Sequence, residues 1–90
     1  MDRLRARIVG QKRYPRAAQR RRLEGEGELR LRVAADGALI EATLTRSSDH
    51  AVLDAEILAM ARRAAPFPAI PARLGRSSLE IVLPVRFDLR

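Results

Sequence analysis

The chain has 90 residues, 47% of them hydrophobic and only 3% aromatic, with no cysteine and a formal net charge of +7. A chain this short holds one small domain, whose core must come from Leu, Ile, Val and Ala; disulfides and thiolate metal sites are excluded, and the lone His50 cannot form a metal cage by itself. No apolar run approaches the roughly 20 residues that cross a bilayer, and residues 1–10 are too basic and too poor in apolar residues for a signal peptide.

Charge is uneven from the start. Nine of the 18 basic residues precede Leu23 (Arg3, Arg5, Arg7, Lys12, Arg13, Arg16, Arg20, Arg21, Arg22), opposed there only by Asp2. Such a segment prefers anionic surroundings. Leu4, Ile8 and Val9 suit a short helix, but an isolated stripe this thin is unstable in water, so residues 1–13 read as a basic linker or docked tail and 14–90 as the domain. Tyr14-Pro15 opens a basic helix: proline fits the first turn, where its missing N–H has no partner to lose. Good helix formers follow, and Glu24-Gly25 is expected to end it. The Tyr14 ring reads equally as a staple on the core and as a partner contact.

Residues 27–33 alternate, with Leu29, Leu31 and Val33 on one face and Glu28, Arg30 and Arg32 on the other, as in a half-buried strand. Asp36-Gly37 supplies the positive φ of a tight hairpin, and Ile40, Ala42 and Leu44 resume the alternation against Glu41, Thr43 and Thr45. Ser47, Ser48 and Asp49 offer oxygens to the free N–H groups of a following helix. That helix runs to about Ala64, with Leu53, Ile57, Met60, Ala61 and Ala64 on its sheet-covering side. Asp54 and Glu56 lie off the centre of this face and are expected to be solvated. Pro66, Pro68 and Pro71 end the helix and begin a crossing loop, with Phe67 as a core plug. The last strand spans 79–89: Leu79, Ile81, Leu83, Val85, Phe87 and Leu89 face one way and Glu80, Val82, Pro84, Arg86 and Asp88 the other. Pro84 has no N–H for a ladder, which places this strand at an edge.

The pattern therefore predicts an α+β domain in the order helix-strand-strand-helix-strand, a three-stranded antiparallel sheet with two helices packed on one face. Catalysis needs titratable groups that converge, and this chain offers few. Ser47, Asp49 and His50 are sequence neighbours at a helix start, which fits capping better than a triad. Gly25 and Gly27 lack the further glycine and lysine of a phosphate loop, so no cofactor is implied. Nucleic acid is not expected as a partner: rings for base stacking are nearly absent and no zinc-finger or RNA-binding signature is present. Two other readings stay open, a self-associating domain joined at its free edge and, behind it, a basic nucleic-acid module.

The ordered set of Tyr14-Pro15, Leu23-Glu24-Gly25, Asp36-Gly37, Ser47-Ser48, Leu53-Asp54-Ala55, Pro66-Phe67-Pro68 and the alternating final strand resembles the carboxy-terminal domain of the TonB family, periplasmic energy-transducing proteins of Gram-negative bacteria. The resemblance implies a non-catalytic module that captures the TonB box, a short extended segment of outer-membrane transporters, beside its last strand. It also implies an amino-terminal inner-membrane anchor upstream of Met1, through which the ExbB–ExbD motor acts, and hence a periplasmic location. Members of the family touch the box with the polar stretch before Tyr-Pro; here that stretch is Gly10-Gln11-Lys12-Arg13, and the role passes to Gln11 beside Tyr14. On the last strand the expected partner-facing residues are Val82, Pro84 and Arg86. The arginine-heavy first helix departs from the family pattern and leaves room for a specialised paralogue.

Overall fold

The computed structural model describes residues 2–75 and 77–89. Its sheet has three strands, β1 (Gly25–Ala34), β2 (Leu39–Arg46) and β3 (Ser78–Phe87), in the order β2-β1-β3 with both pairings antiparallel. β1 is therefore central and β3 an edge, as Pro84 requires. Leu29, Leu31 and Val33 of β1 and Ile81, Leu83, Val85 and Phe87 of β3 alternate onto one face and are buried. Each such side chain contributes roughly 1.5–3 kcal/mol by leaving water. The opposite face stays in solvent and carries cross-strand charges, with Glu80 lying 3.5 Å from Arg32 and 4.0 Å from Arg30, and Glu26 lying 3.4 Å from Arg46. Exposed pairs of this kind add under about 1 kcal/mol each and serve mainly to keep the face polar.

Three helices cover the apolar face, one more than the sequence pattern implies: α1 (Asp2–Val9), α2 (Arg16–Arg20) and α3 (Ala51–Ala64). α1 arises from the segment read as linker or docked tail. It packs on α3 with Leu4 and Ile8 buried, and Arg7 Nε donates to the Ala64 carbonyl at 2.7 Å, an acceptor left free by the end of α3. Leu53, Ile57, Met60, Ala61 and Ala64 of α3 are all buried. Gly27 lets α3 approach the sheet closely, since a Cβ there would stand 2.7 Å from Ile57 Cδ1 and 2.9 Å from the Arg46 carbonyl oxygen.

Four local expectations are corrected. α2 ends at Arg20, not at Glu24-Gly25: Leu23 N–H bonds back to Ala18 C=O at 2.9 Å and Arg22 N–H to Gln19 C=O at 3.0 Å, with Arg22 at φ 55. This is a Schellman stop in which an arginine holds the left-handed position usually given to glycine. Gly25 instead starts β1. Ile40 is 56% exposed because the β1–β2 register slips between Arg32 and Val33, which pair with Glu41 and Leu39 and leave Ile40 as a bulge. A second slip leaves Thr45 between Leu44 and Arg46, its hydroxyl donating to Glu28.

The third correction concerns the start of α3. Its N-cap, His50, makes no side-chain cap bond, and the serines face a carboxylate: Ser47 Oγ donates to Asp54 Oδ2 at 2.6 Å, while Ser48 Oγ and N–H donate to Oδ1 at 2.6 and 2.8 Å. Asp54 thus reaches back from the first turn, where the helix dipole favours an anion. Burial alone would raise its pKa, but the bonds from Ser47 and Ser48, with the neighbouring His50, outweigh that and hold it below the ordinary 3.8. The fourth is Glu56, which is not solvated either: its side chain is 10% exposed and paired with Arg63 two turns along α3.

The hairpin turns through Ala34–Gly37. Gly37 N–H donates to Ala34 C=O at 2.9 Å, and Gly37 takes φ 95. The Pro66–Pro68 loop closes over this turn: Phe67 N–H bonds Gly37 C=O at 2.8 Å, and a Cβ on Gly37 would fall 1.9 Å from the Phe67 oxygen. Gly37→Ala therefore destabilises by more than the about 1–2 kcal/mol of a left-handed backbone alone, measured by denaturant unfolding; an unchanged midpoint would detach the loop from the hairpin. Arg22→Gly acts in the opposite sense and raises stability by roughly 0.5–1 kcal/mol, read from the same curves. Asp54→Ala costs about 1–3 kcal/mol at neutral pH. Because the folded pKa is depressed, this contribution exists above about pH 4 and disappears as pH falls through the folded value, so wild-type and variant melting temperatures converge in acid.

Candidate functional site

The outer rim of β3 is one of the two edges of the sheet. Ala35 N–H donates to Ser77 C=O at 2.9 Å, and the β1–β3 register runs without a slip from Ala34 opposite Ser78 to Gly25 opposite Phe87. Backbone groups alternate from rim to rim, so odd-numbered residues of β3 address β1 and Glu80, Val82, Pro84 and Arg86 turn theirs outward. The hairpin gives the same parity, since Ala34 N–H bonds Ala38 C=O at 2.8 Å and so even-numbered groups of β1 address β2. Pro84 stands opposite Glu28, a position where the inner ladder asks for no donor. Its missing N–H is a gap only in the outer rim. Val82 is 39% exposed, and Arg86 is exposed with its guanidinium 2.9 Å from Asp88.

Tyr14 does not lie on that rim but supports its carboxy-terminal end. Its ring meets the buried Phe87 ring edge-on, with centroids 5.3 Å apart at 81°, and its hydroxyl donates to the Leu23 carbonyl. Such a pair adds about 0.5–1.5 kcal/mol beyond burial. Burial, then the carboxylates of Glu24 and Asp88, raise the phenol pKa, which keeps the proton on this donor.

Gln11 is half-buried and held by its backbone: its C=O accepts from Arg63 at 2.8 Å and its N–H donates to Ile8 C=O at 3.0 Å. Among the described residues no hydrogen bond engages its side-chain amide. Arg13 N–H donates to Glu56 Oε2 at 2.9 Å, and Lys12 N–H to Val9 C=O at 3.0 Å. The Glu56–Arg63 pair therefore clamps the stretch before Tyr14 onto α3. This clamp escaped the sequence reading, although Glu56 and Arg63 are two helical turns apart and share a face.

Lys12 also escaped it. Its ammonium donates to the Arg86 carbonyl at 2.6 Å and stands 5.4 Å from the centroid of the Phe87 ring. The stretch 10–13 thus touches the outer rim of β3 through Lys12. The arginines of α2, Arg16 and Arg20, are exposed and without an ion-pair partner among the described residues.

Around His50 nothing converges on a reacting atom. Asp49 has φ 75, Ser48 Oγ accepts from His50 N–H at 3.3 Å, and the two serine hydroxyls serve Asp54. Among the described residues no three His, Asp or Glu side chains are placed to hold a metal ion, and no helix is long and apolar enough to cross a membrane.

Comparison with known proteins agrees with this geometry. The family model described as Gram-negative bacterial TonB protein C-terminal matches residues 10–89. Protein TonB of Pseudomonas putida is 38% identical over 79 residues, 87% of this chain and 32% of that protein, so the chain spans about a third of this curated relative. Among solved structures, the Helicobacter pylori TonB carboxy-terminal domain is similar with a TM-score of 0.82 at 25% identity, covering 97% of this chain and 78% of that one. The HasB carboxy-terminal domain is similar with a TM-score of 0.60 at 37% identity, covering 96% and 70%. With a matched family model over nearly its whole length and an edge strand of this form, the chain belongs to the TonB carboxy-terminal domain family.

Proposed function

We propose that this domain is a non-catalytic adaptor that captures the TonB box of outer-membrane transporters as a fourth strand on the outer rim of β3. The observation that carries the reading is the rim itself, a ten-residue edge whose even-numbered backbone groups turn away from β1, the Arg86 carbonyl alone being met by Lys12 among the described residues. Val82, Pro84 and Arg86 supply the partner-facing groups, and Gln11 and Tyr14 flank or support the end of the strand. Recognition through backbone explains how one domain serves transporters with different box side chains.

The same bonds suit transmission of force. Each contributes about 0.5–1.5 kcal/mol net, so a short box binds weakly and is released after a pull. Loaded in shear along β3, the bonds resist together. In this reading the energy of the proton gradient enters through an inner-membrane anchor and the ExbB–ExbD motor and passes through the periplasm by way of this domain.

Titration with TonB-box peptides is expected to shift the amides of β3, above all Glu80, Val82 and Arg86, in NMR spectra. Absence of such shifts with every peptide would remove the proposal. A paired substitution tests the rim: Val82→Pro abolishes peptide binding and leaves the melting temperature nearly unchanged, whereas Leu83→Pro removes an inner ladder donor and unfolds the domain. The inverse result would exchange the two rims. Self-association through the same edge would instead appear as concentration-dependent sedimentation without peptide.

A further inference from the structure

We infer that Lys12 closes the carboxy-terminal end of the strand-accepting rim and selects partner segments that carry a carboxylate there. This rests on strand addition at β3 and names the chemistry of its ligand. Three consecutive residues are fixed through their backbones: Gln11 by Arg63, Lys12 by Val9 and Arg13 by Glu56. The Lys12 side chain therefore starts from a held position and crosses Phe87 to the Arg86 carbonyl, 2.6 Å away. That carbonyl is the last outward acceptor of β3 before the strand ends at Phe87.

Two consequences follow for an added strand. Opposite Glu80, Val82 and Pro84 it finds open acceptors, but opposite Arg86 the acceptor already holds an ammonium. The new ladder thus loses its last acceptor, and beyond Pro84 only the Arg86 N–H is left to pair. The ammonium has three donors and uses one on Arg86, and among the described residues no carboxylate lies within ion-pair distance of it. The nearby guanidinium of Arg86 is already paired with Asp88. The charge left for a partner at this end of the rim is that of Lys12, and its complement is an Asp or Glu side chain one or two residues beyond the paired segment. Glu80, at the other end of the strand, is satisfied by Arg30 and Arg32 and makes no matching demand.

The test uses the described domain with extended peptides of one apolar sequence bearing Glu at the amino end, Glu at the carboxy end, or neither. Affinity is read by NMR titration of β3 amides. One Glu peptide is expected to bind roughly two- to fivefold more tightly than the neutral peptide at low salt, and the advantage to fade with added salt. Glu preferred at the amino end means an antiparallel added strand; at the carboxy end, a parallel one; either supports the role of Lys12. Lys12→Met keeps the apolar stem over Phe87 and is expected to erase the advantage without weakening the neutral peptide. Lys12→Glu is expected to transfer the preference to the peptide with Lys at the same end. Equal affinity of all peptides, or a Glu advantage that survives in Lys12→Met, overturns the inference and leaves strand addition standing. No β3 shifts with any peptide removes both.

Discussion

The unbroken antiparallel pairing of β1 with β3 is the constraint on which the rest of the domain depends. Ten residues of each strand face one another without a slip, so one parity governs side chains and backbone alike: from Ile81 to Phe87 the odd-numbered residues of β3 bury their side chains and bond β1, and the even-numbered ones turn both outward. A single inserted residue would send the core side chains of β3 to solvent and turn Pro84 inward. Core packing and edge chemistry are in this sense one property of the register, and the Tyr14–Phe87 contact fixes it at the carboxy-terminal end.

Much of this was readable because period-two alternation over a strand as long as β3 has no helical equivalent, and because Pro84 has a single tolerable place in an antiparallel sheet. The same holds for α3, whose apolar stripe named its buried residues. The sequence was silent where a tertiary contact overrides a local preference. Ile40 matches the alternation of its neighbours, yet a bulge turns it outward; nothing in Leu39 to Ala42 announces a slip that depends on the pairing partner. Glu24-Gly25 looks like a helix stop, yet Arg22 takes the left-handed turn because Leu23 gains a place against the core. On β3, the outward placement of Val82, Pro84 and Arg86 followed from parity alone, whereas Lys12 is separated from Arg86 by most of the chain and no local pattern joins them.

α1 and the clamp on α3 change the meaning of the basic amino-terminal segment. Its apolar stripe is too thin to hold a helix alone, but Leu4 and Ile8 find a prepared surface, and Arg7 satisfies a carbonyl that the end of α3 leaves free. Charge here does structural work at some positions and none at others. Arg7 and Lys12 cap backbone oxygens, while Arg16 and Arg20 are exposed and unpaired among the described residues. A count of positive charges alone cannot separate these roles, which is why the net charge of +7 pointed toward anionic partners more strongly than the geometry does.

The two edges of the sheet are unequal. β2 carries both bulges, at Ile40 and Thr45, and its outer margin is kinked wherever the register slips; β3 is straight, with one proline. A domain with two equal straight edges can stack head to tail into an open fibre, each copy offering a fresh edge to the next. Here an added copy consumes the only straight margin of its neighbour along with its own, so growth by edge pairing stops at two molecules. A domain with one straight margin can thus keep that strand exposed without becoming a polymerisation seed.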